Sequence, residues 1–150
     1  MRNIFLLITI FTAVALTGCS DGKLKTLKVT GTVTYEGKPL ADAMVSFSPK
    51  TQGQGNPAYG NTDANGRYKL QTHLGVADGG TTPGEYTVII SKREKNEPLP
   101  QSDGPSGTPP PVPPIPKSLI PERYENAATS GFTATVSKSN NVFDFELKAN

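Results

Sequence analysis

From Leu27 onward the sequence alternates with a period of two. Leu27, Val29, Gly31, Val33 and Tyr35 are interleaved with Lys28, Thr30, Thr32 and Thr34. Successive side chains of a strand point to opposite faces, so this pattern builds a half-buried strand and lays no apolar stripe along a helix. The β-branched residues suit a pleated surface. Ala43, Val45 and Phe47 then alternate with Met44, Ser46 and Ser48 as far as Pro49. Ala58 to Thr62 is a weaker, short repeat, and Arg67 to Thr72 places Tyr68 and Leu70 on one face. Glu85 to Lys92 is the clearest, with Tyr86, Val88 and Ile90 opposed to Thr87, Ile89 and Ser91. Phe132, Ala134 and Val136, then Phe143, Phe145 and Leu147, end the chain. Glu36-Gly37-Lys38-Pro39, Asp63-Ala64-Asn65-Gly66 and Ser137 to Asn141 supply turns between them, because Asn and Gly tolerate positive φ. Seven short strands without a convincing helix predict an all-β fold, a seven-stranded antiparallel β-sandwich.

One stretch breaks the pattern. Pro98 to Pro121 carries 10 prolines in 24 residues. Proline fixes φ and removes a donor, so the stretch is neither helix nor interior strand and favours extended polyproline II. Leu119 to Tyr124 has room for one helical turn. A connection from Lys92 to Pro121 is long for a compact domain. The two strands after it cannot stand alone in water, and their apolar residues need a partner sheet. The expectation is therefore one domain over 27–148, with a proline-rich excursion over 93–121.

The first residues follow a different rule. Arg2 is the only charge before Asp21, and Ile4 to Leu16 are apolar apart from Thr9 and Thr12. A positive start, a short apolar run and small residues make a secretory signal peptide. The run falls short of the roughly 20 residues that a membrane span needs. Its end, Leu16-Thr17-Gly18-Cys19, resembles the lipobox of bacterial lipoproteins. The resemblance implies cleavage before Cys19, a diacylglycerol on its sulfur, and often a further acyl chain on its new amine. One chain holds a protein marginally and two or more hold it stably. Residues 1–18 are then a lipoprotein signal peptide and 19–26 a lipidated tether. Ser20 directly after the Cys favours the outer over the inner membrane by the same likeness. Cys19 is the only cysteine, so the chain makes no internal disulfide.

The order of the later motifs carries a second likeness. Val29-Thr30-Gly31-Thr32-Val33, Gly37-Lys38-Pro39-Leu40 and Ala43-Met44-Val45-Ser46-Phe47 resemble the opening of a carboxypeptidase regulatory-like domain. Thr62-Asp63-Ala64-Asn65-Gly66-Arg67-Tyr68 and Pro83-Gly84-Glu85-Tyr86-Thr87-Val88 match its other hallmarks. The whole chain is similar to small planctomycete lipoproteins with a proline-rich insertion and an ending like Ile120-Pro121-Glu122-Arg123-Tyr124 with Thr129-Ser130-Gly131. The resemblance implies a transthyretin-like sandwich. It implies no catalytic residues, and such domains accompany carboxypeptidases without being peptidases.

Reactive groups do not converge in the sequence. His73 is the single imidazole and sits in a Gly/Thr-rich loop. No Gly-x-Ser-x-Gly elbow is present, and Ser130-Gly131 lacks its context. Glu122 and Glu125 read as solvated carboxylates rather than a glycosidase pair. Asp63-Ala64-Asn65-Gly66 begins like a calcium loop, but Arg67 and Tyr68 follow, and a tight turn is the stronger reading. Gly53, Gly55 and Gly60 do not lie between a strand and a helix, so no phosphate cradle is expected. Cleavage leaves 14 cationic and 13 anionic side chains, which argues against steering toward nucleic acid. Lys23, Lys25 and Lys28 lie beside the anchor and suit lipid headgroups. Tyr59 and Tyr124 are the aromatic candidates for a sugar surface, with packing favoured for both.

The sequence thus predicts a non-enzymatic, lipid-anchored cell-envelope protein. No catalytic, cofactor or metal residues are assigned, and Cys19 is the lipid attachment site. Its partners would be membrane lipid through acylated Cys19 and an envelope protein or polysaccharide, with no nucleic acid. The alternatives are a carbohydrate- or Ca²⁺-dependent binder of an envelope polymer and, far behind, a small envelope hydrolase.

Overall fold

The alternating segments become strands of two sheets. In the computed structural model, residues 25–72, 79–95, 115–139 and 141–149 are described. The strands are β1 (Thr30–Tyr35), β2 (Lys38–Pro39), β3 (Met44–Pro49), β4 (Ala58–Asn61), β5 (Arg67–Lys69), β6 (Gln71–Thr72), β7 (Gly84–Ser91), β8 (Phe132–Val136) and β9 (Phe145–Leu147). A 3₁₀ turn, Glu122–Glu125, precedes β8. One sheet has β1 at its centre, with β2 and β5 on one edge and β9 on the other; the second runs β6-β4-β3-β7-β8. The architecture is all-β, as the period of two requires.

Both sheets turn their apolar residues inward. Val29, Val33, Tyr68, Phe145 and Leu147 of the first share one cluster with Val45, Phe47, Tyr86, Val88, Ile90, Ala134 and Val136 of the second. Phe47 sits at the junction, its ring 5.8 Å from Tyr86 and 6.3 Å from Phe145. Burying each large side chain contributes roughly 1.5–3 kcal/mol. The last two strands part company: β8 pairs with β7, and β9 pairs with β1. Their apolar residues therefore meet the core from opposite layers.

Three details depart from the sequence reading. Lys38 and Pro39, read as part of a turn, pair with Tyr35 and Thr34 as β2, and nine strands rather than seven are formed among the described residues, because the turn at Glu36-Gly37 folds the chain straight back on β1. The pairing is not antiparallel throughout, because β9 runs parallel to β1, with Val33 opposite Phe145 and Tyr35 opposite Leu147. The chain reaches this edge from β8 in the other sheet, and such a crossover leaves strand direction free. The segment Arg67 to Thr72 is also not one strand. Arg67–Lys69 pair with β1, whereas Gln71–Thr72 pair with β4 in the other sheet. The turn before it is as expected: Gly66 has φ 72°.

The excursion leaves and re-enters through a paired stem. Arg93 and Ser118 form an antiparallel bridge. The Glu94 N–H donates to the Lys117 carbonyl (3.0 Å), and the Leu119 N–H to the Lys92 carbonyl (2.8 Å). Ile120 and Tyr124 then enter the core. The Tyr124 ring stacks on Phe132, 5.4 Å away at 10°. The proline-rich residues 96–114 lie outside the described residues.

Candidate functional site

Among the described residues, the first that pairs is Leu27. Its N–H donates to the Thr81 carbonyl (2.7 Å), and the Thr81 N–H returns to Leu27 (3.1 Å). The fastening therefore begins one residue beyond the expected 19–26 tether. Cys19 lies outside the described residues, as do Ser20, Lys23 and the signal segment. Among the described residues, no helix is long and apolar enough to cross a membrane.

The Leu27–Thr81 pairing is braced by a tyrosine that the sequence marked only as core. Tyr86 is fully buried. Its hydroxyl donates to the Thr82 carbonyl (2.7 Å), accepts the Asn56 N–H (3.3 Å) and lies 2.9 Å from Thr81 Oγ1. Thr81 Oγ1 in turn donates to the Asn56 carbonyl (2.6 Å). A buried phenol needs such partners, and Thr81-Thr82, a few residues upstream, were the available signal. β7 runs from this end toward Ser91, and the stem at Arg93 follows it. Its seven residue steps span roughly 23 Å. The Leu27–Thr81 pairing and the Arg93–Ser118 stem thus lie beyond opposite ends of β7.

The chemistry-bearing residues are scattered. Asp63 is spent on its own turn, where Oδ1 accepts the Asn65 N–H (2.8 Å) and the Arg67 N–H (2.9 Å). Among the described residues, no three His, Cys, Asp or Glu gather to hold a metal ion. His73 lies outside the described residues. The Ser130 hydroxyl is buried and has no hydrogen-bond partner among the described residues. Glu125 departs from the expectation of solvation. It takes the Arg93 guanidinium at 3.0 Å and the Ser118 hydroxyl at 2.7 Å, and its side chain is only 13% exposed. Tyr124 is buried, while Tyr59 is 37% exposed.

Two tyrosines have altered acidity. Burial raises the Tyr68 hydroxyl far above the ordinary tyrosine value, and the nearby Asp144 carboxylate raises it further. That hydroxyl donates to the Phe143 carbonyl at 2.8 Å. At Tyr124, burial pulls upward but is outweighed by the Lys148 N–H (3.0 Å) and the Arg123 guanidinium (2.8 Å), so the phenol lies below its usual range.

A raised folded-state pKa means that the stabilisation is complete below the unfolded value, about 10, and is lost as pH climbs through the folded one. Tyr68 therefore makes the fold alkali-sensitive, and Tyr124 acts in the opposite sense. Tyr68→Phe is expected to lose about 1 kcal/mol near pH 7, from the missing hydrogen bond. Its urea midpoint is expected to fall less steeply than that of the wild type above about pH 10. Parallel wild-type and variant profiles would refute this assignment.

No family model matches the chain, and no curated protein does. Among solved structures, a 9R-lipoxygenase from Cyanothece PCC8801 aligns over 81% of this chain and 16% of its own, at 15% identity and a TM-score of 0.37. The chain thus spans under a fifth of that protein, and a likeness at this level carries no argument about fold or activity.

Proposed function

We propose that the protein is a non-enzymatic, lipid-anchored module of the cell envelope. Its acylated Cys19 would hold it in a membrane, the outer one by the Ser20 criterion. Its strands would form a transthyretin-like, carboxypeptidase regulatory-like sandwich. That finer reading is supported by the seven alternating segments, six of which join one sheet each while Arg67 to Thr72 is shared between the two. The observation that carries the proposal is the placement of the two unusual segments. The chain from Cys19 is fastened at Leu27, and the stem of the proline-rich excursion lies at the far end of β7. A membrane-held molecule of this form presents the excursion away from the lipid. Strand β8 ends its sheet among the described residues, and an edge of that kind accepts a partner strand.

Cys19→Ser tests the anchor. The wild-type chain is expected to sediment with membranes and to show a diacylated N-terminal Cys19 by mass spectrometry. The variant is expected in the soluble fraction, since removing the acyl chains removes the binding that each buried methylene supplies. Sedimentation of the variant with lipid, or a wild-type Cys19 without acyl groups, would overturn the proposal.

A further inference from the structure

We propose that the splayed hairpin of β4 with β5 and β6 is a binding cleft for an acidic saccharide. It is independent of the anchor. The hairpin starts as an ordinary ladder, with Ala58 opposite Thr72 and Tyr59 opposite Gln71. Beyond Leu70 the returning arm leaves for the other sheet, where Arg67–Lys69 pair with β1. The arms stay close near Gly60, where any side chain would overlap the Lys69 carbonyl, and they rejoin at the turn through the Asp63 N–H and the Arg67 carbonyl. A cleft of about 490 Å³ lies along them, within the size range of small-ligand sites.

Its walls follow from strand alternation. Ala58, Gly60 and Thr62 on one arm, and Tyr68, Leu70 and Thr72 on the other, are buried. The residues between them are all exposed: Tyr59, Asn61 and Asp63 on one arm, Arg67, Lys69 and Gln71 on the other. Each type has a use for a sugar. Tyr59, 37% exposed, lines the cleft with an aromatic ring, the kind of surface on which sugar C–H groups pack. The Asn61 and Gln71 carboxamides both donate and accept, as hydroxyl recognition requires.

Charge narrows the class. Neither Arg67 nor Lys69 has an ion-pair partner among the described residues. Asp63 has one oxygen committed to the turn amides. Two cations two residues apart on a strand stand about 7 Å from each other. That suits a carboxylate-bearing oligosaccharide, with the Arg67 fork taking the carboxylate in bidentate fashion. Arg67 and Lys69 are the two cations among the described residues that line the cleft, too few to follow a nucleic-acid backbone.

The test is calorimetric titration of the full chain in detergent micelles with trigalacturonate. Maltotriose and inorganic sulfate serve as comparison probes. Saturable binding to the triuronate is expected, weakened about tenfold or more by R67Q/K69Q and by Tyr59→Ala. Lys148→Gln, remote from the cleft, is expected to leave it unchanged. Circular dichroism confirms that each variant is folded. Absence of saturable binding would overturn the proposal, as would equal affinity for maltotriose. Sulfate binding as tight as the triuronate would reduce the cleft to an anion contact, and variants that bind like wild type would place the ligand elsewhere.

Discussion

Replacing Gly31 with alanine is expected to destabilise the fold by about 3 kcal/mol or more and to lower the melting temperature by about 10 °C or more. Gly31 lies in β1 under the chain that leads into β9. A methyl group there would overlap the Phe143 carbonyl and come within 2.9 Å of Tyr68 Cε1. Neither neighbour can yield cheaply. The Phe143 carbonyl accepts the Tyr68 hydroxyl (2.8 Å), and the Phe143 N–H donates to the Thr30 carbonyl (2.9 Å). One residue on, Asp144 Oδ1 accepts the Thr32 N–H (2.7 Å) and hydroxyl (2.6 Å). Lifting this segment breaks those bonds and withdraws the Phe143 and Phe145 rings from Phe47. Gly37→Ala is the control. Gly37 has φ 74° but nothing within 4 Å of an added methyl, so only backbone strain of about 1–2 kcal/mol applies. Thermal and urea unfolding measure both. Equal losses at the two positions would remove the steric argument.

The same contact explains what the sequence could and could not disclose. Alternation is a local property, and it located the strands because each buries one face. Gly31 falls on the inward row with Val29 and Val33, yet no local pattern shows that a distant carbonyl passes over it. The parallel pairing of β9 is hidden for the same reason, since strand partners are set by packing across the core. The split at Leu70 interrupts no alternation; it arises because β5 is drawn to β1 while Gln71 and Thr72 remain with β4. Tyr124 was obscured by charged neighbours. Its spacing of four from Ile120 was the legible sign, because one turn places such residues on a common side. The cleft residues were each visible as exposed strand positions, but their convergence depends on the hairpin opening. Cys19 is the opposite case: its reading rests on the sequence alone, because it lies outside the described residues.

Tyr86→Ala is the second large effect, expected at about 4 kcal/mol, because it empties a fully enclosed site beside Phe47. Tyr86→Phe keeps the ring and removes only the hydroxyl, so about 1–2 kcal/mol is expected from the Asn56 N–H and the Thr82 carbonyl left without it. The pair separates packing from fastening. The hydroxyl holds Thr82 and lies against Thr81, and Thr81 holds Leu27 by two main-chain bonds. Tyr86→Phe is therefore expected to lower hydrogen-exchange protection at Leu27 and Thr81 while leaving Val45 and Ile90 near the global limit. Under the proposed anchor that selectivity matters, because a pull from Cys19 would reach the described sheets first at Leu27. If Leu27 kept its protection in Tyr86→Phe while global stability fell, the hydroxyl would act on the core as a whole. The tether entry would then be held by the Leu27–Thr81 pairing alone.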